Sequence, residues 1–254
     1  MGTSDEPRST WLARRASFGA VAGDYAQLRP GYPPDVVPFL LGERPRRVLD
    51  LGAGTGLLTD QLLASGHEVV AVDPSAEMLA ELAARLPQVS TEVGGAEGVP
   101  LPDGSVDAVV AGQAAHWFDV APTVLELRRV LRPGGVVGLA WNSRDDRVPW
   151  VSALSDLLTE EARDHQADEG IAAEFARELG AGLDVLDSST AQRISPEQVV
   201  GGIGTRSYVA TMDADQRAEF LGRVAELLAT HPDTRGCELL DLPYTTRAYR
   251  LTLR

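Results

Sequence analysis

Between Arg46 and Asn142, short β-branched runs alternate with stretches of helical periodicity, and that alternation leaves few folds open. The runs are Val48–Leu51, Glu68–Val72, Val89–Val93, Val106–Ala111 and Val136–Trp141, with helical stretches at Leu57–Leu63, Ala76–Leu86 and Thr123–Leu131. Strands and helices in such succession make parallel strands joined by right-handed crossovers. Val106–Ala111, broken only by Asp107, and Val136–Ala140 are apolar throughout, which suits strands covered on both faces. Two later segments, Val185–Ile194 and Leu239–Leu251, read as further strands. The expected fold is α/β: a doubly wound, mostly parallel seven-stranded sheet with helices on both faces and helical additions after strand five.

Residues 1–17 are polar and irregular and read as a flexible N-terminal arm; residues 18–254 read as one domain. Its cofactor-binding core spans about 46–142, with helical cap insertions at about 143–183 and 196–235. Within the insertions, Val151, Leu154, Leu157 and Leu158 share a helical face, and Ile171, Phe175 and Leu179 form a second stripe. Asp213, three residues before Gln216, resembles a capping box ahead of a helix over Arg217–Leu228.

Bulk properties exclude several functions. Acidic side chains outnumber basic ones by 37 to 23, a formal charge of −14, and such a surface repels phosphate backbones. Nucleic acid is therefore not an expected partner. Cys237 is the single cysteine, so thiolate clusters and internal disulfides are excluded, and a small buried or half-buried side chain is expected there. With no apolar leader and no run long enough to cross a bilayer, the expectation is a cytoplasmic enzyme, monomer or homodimer, without a membrane partner.

The chemistry concentrates just past the carboxyl ends of successive strands, where doubly wound sheets bind their ligands. The first strand runs into Asp50-Leu51-Gly52-Ala53-Gly54-Thr55-Gly56, a turn whose glycines permit close backbone approach by a ligand. The second ends at Asp73-Pro74; an acid at that distance accepts hydrogen bonds from ribose hydroxyls, or caps the following helix with Pro74 at its first position. The third leads to Gly95-Ala96-Glu97, the fourth to Gln113-Ala114-Ala115-His116-Trp117, and the fifth to Trp141-Asn142. Dinucleotide sites carry G-x-G-x-x-G facing a pyrophosphate. The spacing here is G-x-G-x-G, which better fits a phosphate-free nucleoside joined to an amino acid.

Val48–Gly56, with Asp73 and the Leu131-Arg132-Pro133-Gly134-Gly135 turn, resembles the class I S-adenosylmethionine-dependent methyltransferases over about residues 46–142. Phe18, Tyr25, Arg29-Pro30, Tyr32-Pro33 and His116-Trp117-Phe118 resemble the branch containing trans-aconitate methyltransferase and related small-molecule enzymes. The resemblance implies S-adenosyl-L-methionine as cofactor and S-adenosyl-L-homocysteine as product. It implies that Gly52, Ala53, Gly54, Thr55 and Gly56 face the methionine and ribose, with Asp73 on the ribose. Pro74 and Met78 would flank the adenine, and Ala96 would offer its N–H to the ring edge. Gly95 stands where many relatives carry aspartate, so Glu97 or a backbone carbonyl must take that contact. Gln113 joins the cofactor set from strand four. Tyr25 and Arg29 would close over the methionine carboxylate, the guanidinium being a bidentate partner.

Methyl transfer from a sulfonium mainly requires alignment in a dry cavity, with a base only for a protonated acceptor. His116 is the candidate base, or else an orienting or packing histidine; His67, His165 and His231 read as surface residues. Trp117, Trp141, Trp150, Tyr208 and Tyr244 are the candidate walls of an acceptor pocket under the helical additions. Asp145-Asp146 lacks a third ligand and reads as a solvated loop, so no metal is expected. The expected function is methyl transfer to the oxygen, nitrogen or carboxylate of a small molecule. The alternatives are an NAD(P)-dependent oxidoreductase and a methyltransferase-like protein that does not methylate.

Overall fold

The computed structural model describes residues 30–158 and 165–253, without the side chains of residues 165, 166, 207 and 210. Its strands are β1 (Arg47–Leu51), β2 (Glu68–Asp73), β3 (Ser90–Val93), β4 (Val106–Gly112), β5 (Leu131–Arg144), β6 (Gly182–Ile194) and β7 (Leu240–Thr252). They form one sheet in the order β3-β2-β1-β4-β5-β7-β6. The first five strands run parallel, and β7 is antiparallel to both of its neighbours. The expected fold class is the observed one.

Strand alternation dictates which helix covers which face. Val48, Val69, Ala108, Val110, Val136 and Ala140 point to the side covered by α1 (Val36–Leu41) and α2 (Leu57–Ala64), and Ala71 meets α3 (Ala76–Arg85) there. Leu49, Leu51, Val109, Val137, Leu139 and Trp141 point the other way, toward α4 (Val120–Val130) and α6 (His165–Leu179). A second core lies beside the sheet. There the outer residues Leu240, Leu242 and Tyr244 of β7 pack with α5 (Pro149–Leu157), α7 (Pro196–Gly204), α8 (Ser207–Ala210) and α9 (Ala214–Thr230).

Several local expectations change. The helix carrying Phe175 and Leu179 does not belong with the cap cluster, because Ala172, Phe175 and Leu179 are buried against the sheet with Trp141 and Tyr249. β5 begins at Leu131 because Leu131 already pairs with Val106; residues 132–135 then bulge out beside Asp107 before Val136 meets Ala108. Arg132 Nη1 grips Asp107 Oδ1 at 2.7 Å across this bulge. Pro74 is not the first helical residue: Ser75 caps α3, its hydroxyl accepting from the Met78 N–H. Ser195 and Gln198 form a full capping box at α7, whereas at α9 the Asp213 side chain accepts from the Gln216 N–H. His67 is buried, not superficial, and its Nδ1 accepts from the Arg46 N–H. Cys237 is exposed. His231 accepts locally from the Asp233 N–H, and the side chain of His165 lies outside the described residues, as do Phe18, Tyr25, Arg29 and the arm. No helix among the described residues is long and apolar enough to cross a membrane.

Phe175 is 1% exposed and joins α6 to the sheet. Phe175→Ala is expected to cost about 3–5 kcal/mol, the usual effect of emptying a buried aromatic site. Urea unfolding checks it: the midpoint should fall while the slope stays unchanged.

Candidate active site

The strand order reverses between β1 and β4, so crossovers leave in opposite directions and open a crevice at the carboxyl ends of these strands. On the β1 side lies the turn Gly52–Gly56. The Gly52 and Ala53 N–H groups both donate to Val72 O, at 2.8 and 3.1 Å, and the Gly54 N–H donates to Asp73 Oδ2 at 2.9 Å. Asp73 Oδ1 accepts from the Ser75 N–H at 2.8 Å. One carboxylate thus holds the turn after β1 and the cap of the helix after β2. Arg85, from the far end of α3, donates to Thr55 O at 2.7 Å and pins the turn from behind.

Two glycines of the turn are required for different reasons. Gly52 has φ +74°, and a Cβ there would lie 2.6 Å from Ala114 Cβ, because the loops after β1 and β4 touch. Gly54 has φ +55° and no atom of the described residues within 4 Å of where a Cβ would stand. Its side is open with respect to those residues.

On the β4 side, Gln113 has φ 57°, the one described non-glycine residue with positive φ. Such strain persists only where surroundings over-determine it. Here the Gln113 N–H donates to Ala140 O at 2.8 Å and its Nε2 to Asn142 O at 2.6 Å. Asn142 in turn donates from Nδ2 to Gly31 O at 3.1 Å and accepts from Thr246 Oγ1 at 2.5 Å. Gln61 Nε2 donates to Tyr32 O at 2.6 Å, so Gly31-Tyr32 is strapped between α2 and β5. A Cβ on Gly112 would stand 2.5 Å from the Tyr32 hydroxyl. Ala115–Trp117 then forms a single 3-10 turn, with the half-buried His116 ring tilted against Trp117 at 4.9 Å.

Of the other site candidates, Met78 and Ala96 are buried and Pro74 is exposed. Glu97 is exposed, and its Oε1 accepts from the Asp119 N–H at the start of α4. Tyr25 and Arg29 lie outside the described residues.

The five candidate aromatics divide. Trp150, Tyr208 and Tyr244 share the cap core, and Trp117 stays beside His116. Trp141 needs correction as a pocket wall: it is 1% exposed and packs edge-on against Tyr249 in the core beneath α6. As an odd position on β5 it points away from Asn142, which faces α1 and the cap. Sequence reasoning missed Arg144 and Arg206, which with Tyr244 line a recess in the cap. Two-residue alternation from Asn142 was the available signal for Arg144. Asp145 is gripped bidentately by Arg147, both contacts at 2.7 Å, and Asp146 accepts from Ser155.

Beneath the glycine turn, Asp50 is 1% exposed. Thr59 Oγ1 donates to its Oδ2 at 2.6 Å, while its Oδ1 has no partner among the described residues. Burial, reinforced by the nearby Asp73 charge and opposed by the Thr59 bond, pushes the carboxyl up to about 7. The folded chain therefore binds this proton more tightly than the unfolded chain, whose carboxyl titrates near 3.8. Its contribution to stability is complete below that value and is lost as pH rises through about 7. Asp50→Asn removes the titration. From pH 4.5 to 7.5 the wild type should lose about 3 kcal/mol relative to this variant, at about 1.4 kcal/mol per pH unit. Parallel stability curves for the two proteins would contradict this.

Comparison with known proteins agrees with this geometry. Residues 49–139 match the methyltransferase domain family. An uncharacterized methyltransferase of Mycobacterium tuberculosis is 43% identical over 237 residues, covering 93% of this chain and 96% of its own. The malonyl-[acyl-carrier protein] O-methyltransferase of Enterobacter lignolyticus is 33% identical over 208 residues, 74% of this chain and 78% of its own. Among solved structures, a type II methyltransferase from Anaeromyxobacter dehalogenans superposes with TM-score 0.65 at 29% identity, covering 89% of this chain and 97% of that one. A phosphoethanolamine N-methyltransferase of Haemonchus contortus, solved with S-adenosylhomocysteine, shares the fold at TM-score 0.55 and 16% identity, over 96% of this chain and 59% of that one. Fold, glycine turn and relatives agree: the chain belongs to the class I S-adenosylmethionine-dependent methyltransferases.

Proposed function

We propose that this enzyme transfers a methyl group from S-adenosylmethionine to a small-molecule acceptor and releases S-adenosylhomocysteine. The observation that carries the reading is Asp73 bonded to Gly54 on the β1 side of the switch point, with the open side of Gly54 beside it. Each carboxylate oxygen accepts more than one hydrogen bond, so the bonds to Gly54 and Ser75 leave Asp73 able to take a ribose diol. The same fixed negative charge disfavours a phosphate at that end. These residues fit a phosphate-free nucleoside carrying an amino acid. When bound, the cofactor supplies an electrophilic methyl on a sulfonium.

The chain's own contribution is placement and dryness. In this reading Gly52–Gly56 lie along the methionine and ribose, Met78 and Pro74 flank the adenine, and the Ala96 N–H meets the ring edge. Glu97 already serves α4, which favours a backbone carbonyl for the amino group of the adenine. Gln113, locked by its bonds to β5, lines the crevice from β4. Tyr25 and Arg29 are proposed on the carboxylate of the cofactor. His116, one turn past β4, takes the proton of a hydroxyl or ring N–H acceptor at an imidazole nitrogen. A small acceptor accords with the charge of −14, which disfavours polyanionic substrates.

Calorimetry tests the binding half. S-adenosylmethionine should bind and NAD should not; the reverse would overturn the proposal. Asp73→Ala should weaken cofactor binding by about 1.5–3 kcal/mol, the worth of hydrogen bonds to a charged acceptor. Gly54→Ala, whose methyl meets none of the described residues, should remain folded by circular dichroism yet lose most cofactor affinity.

The chemical half rests on His116. His116→Ala should lower turnover by roughly 10²–10⁴ while leaving cofactor affinity near normal. The rate of the wild type should rise with pH to a bend that the variant lacks. Loss of cofactor binding in the variant would instead make His116 part of the cofactor site.

A further inference from the structure

Asn142 is 7% exposed and joins three separate parts of the crevice. Its backbone carbonyl accepts from Gln113 Nε2 at 2.6 Å, and its side-chain Nδ2 donates to Gly31 O at 3.1 Å. Its Oδ1 accepts from Thr246, the cross-strand partner on β7, which turns the amide nitrogen toward Gly31. From the opposite wall, Gln61 of α2 donates from Nε2 to Tyr32 O at 2.6 Å. Two side-chain amides, one on β5 and one on the helix that follows the glycine turn, thus hold adjacent carbonyls of one dipeptide.

Residues 30–33 belong to no helix or strand, so bonds from neighbouring elements decide where their backbone runs. The Tyr32 hydroxyl occupies the place of a side chain on Gly112, at the end of β4. Gly31-Tyr32 is therefore registered against α2, β4 and β5 together. Arg29 stands two positions ahead of Gly31 in the sequence, and Tyr25 six. Two residues of chain reach at most about 7 Å, so the place of Gly31 limits where a guanidinium at position 29 can act. The nucleoside end of the crevice rests on other ties. There the turn Gly52–Gly56 and Asp73 are bonded to Val72, Ser75 and Arg85.

We propose that Asn142 is a positioning residue for the amino-acid end of the cofactor. With Gln61 it fixes Gly31-Tyr32, and through that dipeptide the approach of Tyr25 and Arg29 to the cofactor carboxylate. This role rests on the methyltransferase reading of the crevice. Gln113 is held by the backbone carbonyls of Ala140 and Asn142, which a change of the Asn142 side chain leaves in place. Loss of the amide therefore frees the strap and spares the loop after β4.

The test is a calorimetric titration of the full chain with S-adenosylhomocysteine and with 5′-methylthioadenosine, which keeps the nucleoside and the sulfur but lacks the amino acid. Asn142→Ala should weaken S-adenosylhomocysteine about tenfold or more, the loss of one hydrogen bond to a charged group. The affinity for 5′-methylthioadenosine should change less than about twofold, a selectivity that general disruption of the fold would not produce. Gln61→Met removes the second bond from α2 with a good helix former and should show the same selective loss, so the result does not depend on the folding of one variant. Equal weakening of both ligands, or S-adenosylhomocysteine affinity that survives both substitutions, would overturn the positioning role while leaving the cofactor reading intact. A wild type that binds neither ligand would overturn the cofactor reading and this role with it.

Discussion

The carboxylate of Asp73 is the contact on which the rest of the site depends. It accepts from Gly54 in the turn after β1 and from Ser75 at the cap of α3. Hydrogen bonds to a charged acceptor are each worth about 1.5–3 kcal/mol, enough to hold three left-handed glycines in one arrangement. The backbone adds two more ties, from Gly52 and Ala53 to Val72 O. The cost appears directly underneath. Fixing the turn so tightly covers Asp50, whose carboxyl is sealed from water near a second acid and holds its proton toward neutrality. A buried carboxyl is tolerated there because Thr59 satisfies one oxygen.

A second set of ties comes from arginines reaching to backbone carbonyls, which suits an acidic chain whose loops need cationic anchors. Arg129 of α4 donates to Val99 O and Leu101 O, and to the carboxylates of Glu126 and Asp103. Glu126 accepts from the Val99 N–H in return. The loop after β3, with Ala96 inside it, is thereby fastened to the helix that follows β4. Arg85 does the same for the glycine turn through Thr55 O. Exposed ion pairs contribute little by themselves, but a guanidinium bonded to buried carbonyls also discharges backbone groups that would otherwise lack partners.

How much of this was legible in the sequence follows from the range of each interaction. The seven strands, the glycine turn and Asp73 were readable because β-branched runs and glycine spacing are local signals with a fixed period. Boundaries failed where a distant partner decides them: β5 runs on to Arg144 because β7 is there to pair with it. Which face a residue takes was readable in principle from alternation, yet Trp141 was placed by its residue type and not by its parity with Leu139. The Asn142–Gly31 bond, spanning 111 positions, and the contact of Gly52 with Ala114 leave no periodic trace. Arg144 and Arg206 carry no local signal of the cap recess that they line.

Parity on β5 also explains why one strand can serve both the core and the crevice. Its odd residues Val137, Leu139 and Trp141 are spent on the core beneath α4 and α6, where packing is dense and substitution costly. The even residues Ala140, Asn142 and Arg144 change progressively from apolar to polar to charged as the strand leaves the core. Ala140 must be small and apolar because it sits in the core with Leu40 and Tyr32. Asn142 must carry a donor and an acceptor at once, since its side chain donates to Gly31 O and accepts from Thr246. Arg144, two residues further on, pairs with Tyr244 of β7 and donates from Nε to Ser155 of α5. Because Gln113 is tied to the backbone of β5 at Ala140 and Asn142, its loop is held by sheet geometry, and alignment of that kind is what an in-line displacement demands.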